Sequence, residues 1–271
     1  MLEYDFMRQA FLAGGVVAVV AGAVGFFLVL RNLTFAGHAL SHVGFAGATG
    51  AVLVGAAPLW GLLVFTLAAG VAMGLLGARL RERDVAVGIV LALALGLGVL
   101  FLSIYTTRAT QATAILFGNV LGVSMQTVWT LVALSVVTLV ALAAIARPLL
   151  FTSLAPEVAE AKGVSLRWVS VAFLCVVAVA VAESAQVVGV LLVFALMVGP
   201  AAASLRLTAR PLSGIALAAA LAVAETWAGI ALAYATDWPT TFWIVLLSCM
   251  VYLIAAVVSR RVAPPLAEQP V

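Results

Sequence analysis

The feature that most constrains this chain is a succession of apolar runs, each close to membrane-spanning length and each closed by arginines or a turn residue. They cover Ala10–Leu30, Ala39–Ala57, Leu59–Ala78, Val85–Tyr105, Thr127–Ala146, Trp168–Ala182, Val187–Ala203, Leu212–Ala235 and Thr241–Val258. A helix needs roughly 20 apolar residues to cross about 30 Å of hydrocarbon. Of 271 residues 66% are hydrophobic and 8% charged, and no soluble domain of this length could cover such a core. Strands of a membrane barrel would alternate apolar and polar residues, which these Ala, Val, Leu and Gly runs do not. The reading is an all-α polytopic integral membrane protein of eight to nine transmembrane helices. It forms a single transmembrane domain over 1–261, with a disordered cytoplasmic tail over 262–271. Such a chain has no room for a soluble catalytic domain.

The net charge of +3 is a topology signal and not a nucleic-acid footprint, because the arginines sit between the runs. With nine spans, Arg31, the cluster Arg79–Arg83, the stretch Arg147–Arg167, Arg206–Arg210 and Arg260 all fall on one side, which should be the cytoplasm. The N-terminus is then outside. A re-entrant second run would reduce the count to eight and reverse the N-terminal side.

Within this apolar chain the stretch Phe35–Gly50, FAGHALSHVGFAGATG, holds the two histidines. His38 and His42 are four residues apart, so on a helix they share one face and can reach one ion or each other. Imidazole suits Zn, Fe, Cu and Ni. The spacing by itself fits a transit site for a metal and a packing pair equally well. Ser41 beside the pair is the one grouping that could serve a hydrolase, but no G-x-S-x-G or H-E-x-x-H pattern accompanies it.

Further polar residues interrupt later runs. Glu225 lies inside the eighth run, where a carboxylate needs water or a partner. Glu183 closes the sixth run and is expected to be solvated. Gly199 and Pro200 are expected to bend or break the seventh. Thr106–Gln126 reads as a re-entrant or interfacial segment, and Cys175 and Cys249 as core fillers. Pro148 should end the fifth run. In the polar connection that follows, Pro156 fits a helix N1 position, Glu157 and Glu160 its positive end, and Gly163 its C-cap, predicting a short surface helix over 155–163.

Three blocks, FAGHALSHVGFAG, LFGNVLGVS and AQVVGVLLVFALMVGPAAASLRLT, together resemble the permease subunit of the metal-type ABC importers, the family that brings zinc, manganese or iron into bacteria. The likeness extends over nearly the whole chain. It implies the permease fold of that family in a bacterial inner membrane, two permease copies surrounded by lipid, ABC ATPase subunits on the cytoplasmic face and an extracytoplasmic metal-binding protein. It also implies that the 155–163 helix, with Pro156, Glu157, Glu160 and Gly163, is the coupling helix that docks on the ATPase. The family block usually has an acid where this chain has His38, followed by the histidine matching His42. A second imidazole in place of the acid should shift preference from manganese toward zinc, with Glu225 or Glu183 as possible sources of the missing charge. No phosphate-binding G-x-x-x-x-G-K-[ST] loop occurs in the sequence, so ATP hydrolysis belongs to a separate subunit and the chain is not itself an enzyme. The transported divalent metal ion (Zn, Mn or Fe) is cargo, and no permanent cofactor is implied. A permease for metal chelates of siderophore or vitamin type is the alternative.

Overall fold

The computed structural model describes residues 3–76, 83–104 and 118–262, and the apolar runs within it are helical. Helix α1 spans Asp5–Leu30, α2 Thr34–Leu53, α3 Pro58–Leu76, α4 Arg83–Ile104, α5 Met125–Leu154, α6 Pro156–Ala161, α7 Leu166–Val188, α8 Val190–Leu207, α9 Pro211–Thr236 and α10 Thr240–Val262; a single 3-10 turn, Val120–Gly122, precedes α5. Among the described residues, seven helices are long and apolar enough to cross a membrane. Helices α2 and α8 join them in the bundle, giving an all-α polytopic protein. The tail over 263–271, most of the Arg79–Arg83 cluster and the segment over 105–117 lie outside the described residues.

Starts and stops follow local chemistry. Pro58, Pro156 and Pro211 open α3, α6 and α9, where a missing N–H costs nothing. The hydroxyls of Ser124 and Ser165 cap α5 and α7 by accepting from the N–H groups of Thr127 and Trp168. Glycine alone at 189, with φ 79°, separates α7 from α8.

Packing is built on small residues, as expected where lipid removes any hydrophobic drive between helices. Gly47 of α2 and Gly61 of α3 face each other so closely that a Cβ on either would meet the other's carbonyl oxygen. Gly25 of α1 lies in the same way against the backbone of Met197 in α8. Helix α1 is buried along most of its length and packs on α5, α7, α8 and α9, while α2 packs on α3, α4, α7 and α8.

Three expectations need correction. Pro148 does not end α5, which continues to Leu154; the extra turns carry Thr152 and Ser153, which are held by Arg31 of α1. Pro200 does not break α8. Neighbouring helices can re-satisfy backbone loosened by a proline, and Ser248 of α10 donates to the carbonyl of Ala195 at 3.3 Å, in the turn before Pro200. Helix α7 runs to Val188, so Glu183 is inside it and fully buried rather than solvated at a span end.

Candidate functional site

Helix α2 starts at Thr34, two residues after Asn32, whose φ of 54° turns the chain back from the end of α1. Asparagine tolerates that left-handed conformation better than most residues. The turn sets His38 and His42 into the early part of a continuous helix. Their ring centroids are 4.7 Å apart with planes at 86°. Phe194 of α8 closes another side, its ring 5.1 Å from His38. Both histidines are half-buried, so the pair sits at the rim of the chain's packed core rather than inside it. Ser41 is buried and its hydroxyl donates to the Gly37 carbonyl at 3.2 Å. It is committed to its own helix, and no nucleophile–base arrangement with the histidines is formed.

The two carboxylates are elsewhere. Glu183 is 0% exposed, and its Oε2 accepts from Ser135 of α5 at 3.4 Å. Glu225, in the middle of α9, is 3% exposed, with Ser248 of α10 as the polar group facing it. No group of three or more His, Cys, Asp or Glu side chains placed to share an ion occurs among the described residues. One chain therefore offers two imidazoles and brings neither Glu183 nor Glu225 to them.

At one end of the bundle Arg31, Thr152, Ser153 and Ser170 cluster, and helix α6 projects there. Ala159 is its buried contact, while Glu157, Val158 and Glu160 are exposed. Pro156 is its first residue, and Gly163, with φ 81°, ends it through N–H bonds from Gly163 to Glu160 and from Val164 to Ala159, a Schellman-type stop. At the opposite end, Pro58, Leu62, Asn119, Thr127 and Gln186 line a cavity of about 310 Å³. Asn119 belongs to the LFGNVLGVS block, of which Gly118 to Ser124 is described.

Sequence reasoning singled out both histidines and the α6 residues but gave no signal for Phe194, which only the packing of α8 on α2 brings to His38. It also read Arg31 as a topology marker alone. A lone arginine seven residues before a histidine pair carried no signal that three helices converge on it.

Comparison with known proteins places these features in context. The family model described as "ABC 3 transport family" matches residues 3–259. The manganese transport system membrane protein MntC of Listeria monocytogenes is 27% identical over 256 residues, covering 94% of this chain and 91% of that protein. The manganese import system permease protein ScaB of Streptococcus parasanguinis is 28% identical over 260 residues, covering 96% and 92%. Among solved structures, PsaBC from Streptococcus pneumoniae in complex with Fab superposes with a TM-score of 0.83 at 26% identity, covering 94% of this chain and 92% of that one.

Proposed function

The chain belongs to the ABC 3 transport family, a multi-pass protein of the bacterial inner membrane, and from that membership we propose that it is the permease of an ATP-driven importer of divalent transition-metal ions, with zinc as the preferred cargo. The observation that carries this reading is the His38–His42 pair, two imidazoles 4.7 Å apart at the rim of the chain's packed core. Two nitrogen ligands leave half of a tetrahedral zinc shell unfilled. A second copy of the chain facing the first supplies the other two, so a homodimer presents four imidazoles to one ion. The relatives are named for manganese; manganese prefers carboxylate and carbonyl oxygen, and the second imidazole at position 38 argues for zinc here.

In this reading metal is handed over by an extracytoplasmic binding protein at the end of the bundle holding Asn119 and Gln186. The ion passes the histidine site as the two permeases rock between outward and inward openings. ATPase subunits dock on α6 through its exposed Glu157, Val158 and Glu160, with Pro156 and Gly163 fixing its ends. Glu183 and Glu225 take no direct part in coordination, being held away from the pair.

The test is ATP-driven uptake of radioactive zinc and manganese by proteoliposomes holding the reconstituted complex. His38→Ala and His42→Ala should each lower zinc uptake by at least about tenfold, the scale of losing metal-site contacts, with assembly intact. His38→Asp should raise manganese uptake relative to zinc. Normal zinc uptake in both alanine variants would refute the site.

A further inference from the structure

Arg31 occupies a position that a topology marker does not need. It caps the end of α1, and its guanidinium is spread over two other helices. Nη1 donates to Thr152 Oγ1 at 2.8 Å, to Ser153 Oγ at 3.1 Å and to the Leu149 carbonyl at 3.4 Å, all in the last turns of α5. Nη2 donates to Ser170 Oγ at 3.0 Å, in the first turns of α7. Thr152, Leu149 and Ser170 are themselves buried. The five N–H groups of a guanidinium form a rigid planar fork, so one side chain fixes the spacing and angle of the two helix ends it touches.

Those two ends are the roots of α6. Helix α5 stops at Leu154 and α6 starts at Pro156, with Ala155 as the single joint. On the far side, α7 begins at Leu166 under the Ser165 cap. A push on α6 therefore reaches Arg31 through both flanking helices. From Arg31 the path to the histidines is covalent and short: the left-handed Asn32, Leu33, then the first residue of α2 at Thr34 and His38 one turn on. The tight turn is further fixed by N–H bonds from Asn32 to the Val29 carbonyl and from Leu33 to the Leu28 carbonyl, so the end of α1 and the start of α2 move together.

We propose that Arg31 is a positioning residue that transmits displacement of α6 to the histidine helix, coupling ATPase closure to movement of the ion site. The inference rests on the functional reading above, in which α6 receives the ATPase and α2 carries the ion. It predicts a specific defect. Without the guanidinium fork, α5 and α7 still deliver α6 to the ATPase, but α2 no longer follows.

The experiment compares wild type with Arg31→Met, which keeps the stem and loses every donor, and with the double variant Thr152→Val, Ser170→Ala, which keeps the arginine, removes its shortest contact on α5 and its Ser170 acceptor on α7, and so releases one arm of the fork. In the reconstituted complex, zinc transported and ATP hydrolysed are measured together. Both variants should hydrolyse ATP within about twofold of wild type while zinc moved per ATP falls about tenfold, a coupling loss at the usual scale. Arg31→Lys should fall between, since an ammonium can hold one acceptor group but not both helices. A merely structural role lowers hydrolysis and uptake in proportion and leaves the ratio unchanged; that result, or an unchanged ratio at full activity, overturns the proposal.

A second readout needs no metal. In a background with Cys175 and Cys249 replaced by serine, the thiol of Phe35→Cys, at the exposed start of α2, should change its maleimide reactivity when the ATPase is trapped with vanadate. Adding Arg31→Met should abolish that change. If the wild-type complex carries no zinc but the labelling behaves as stated, the choice of cargo is wrong and the transmission stands. If labelling responds to trapping equally with and without Arg31, the transmission is refuted whatever the cargo.

Discussion

The histidine helix and the two acidic helices handle ionisable groups in opposite ways. His38 and His42 sit half-buried, edge to face with each other, and His38 also meets the Phe194 ring. Glu183 and Glu225 are enclosed, at 0% and 3% exposure, with Ser135 and Ser248 as their nearest polar company. In the sequence the histidine pair is the candidate site, Glu225 reads as an intramembrane carboxylate and Glu183 as a solvated residue at the end of a run. The structure separates them by burial: of the four, only the two histidines keep part of their surface uncovered in this conformation. An enclosed carboxyl is instead a fixed cost of the fold, offset in part at Glu183 by the hydrogen bond from Ser135.

The largest effect should come from placing a permanent charge in each region. Glu225→Lys puts an ammonium in the middle of α9, among Ser248, Thr226 and apolar neighbours, where an uncompensated charge costs several kcal/mol. The expected outcome is loss of folded protein, seen as aggregation on size-exclusion chromatography after membrane extraction. His42→Lys puts the same group at the half-exposed rim, and there the protein should extract as a monodisperse complex that binds its ATPase yet carries no zinc. If both variants fold equally well, the distinction between rim and interior collapses.

The bundle was legible from the sequence because runs of apolar residues at spanning length leave few alternatives to helices, and the described parts of the blocks that carry the family resemblance lie on α2, before α5 and on α7 to α8. The i, i+4 spacing predicted correctly that His38 and His42 share a face, since that follows from helix geometry alone. Access was not legible. Whether Glu183 is solvated depends on where α7 ends, and the hydrophilic string Glu183, Ser184, Gln186 looks like a boundary until Val187 and Val188 are seen to continue the helix to Gly189. Phe194 and the Arg31 cluster depend on contacts between residues far apart in the chain, which no local pattern encodes. The prolines misled in the other direction: Pro148 and Pro200 read as breaks, but both helices run through them, with Arg31 of α1 and Ser248 of α10 bonded to nearby turns.

A smaller effect should sharpen what the rim contributes. Phe194→Leu keeps an apolar side chain on α8 but removes the aromatic edge contact on His38, a contact of about 0.5–1.5 kcal/mol. The imidazole then samples more rotamers before metal arrives. The zinc concentration at half-maximal uptake should rise about 3–10-fold, with the maximal rate less affected, read from uptake against buffered free zinc. An unchanged half-saturation would mean that Phe194 only fills space and that His38 is oriented by its own helix.

The smallest effect is expected where the carboxyls are replaced by their neutral isosteres. In Glu183→Gln the amide oxygen can still accept from Ser135, and in Glu225→Gln the amide can still face Ser248, so shape and the nearby polar contact survive while the ability to ionise is lost. Zinc uptake should stay within about twofold of wild type, and thermal stability within the roughly 0.5 kcal/mol typical of substitutions that keep their contacts. The informative result is the other one. A folded Glu225→Gln complex that binds ATPase but loses zinc uptake as His42→Ala does would mean that the carboxyl reaches the ion in a conformation where α8 and α10 have moved apart. The boundary between rim and interior would then be a property of one state of the transport cycle and not of the fold.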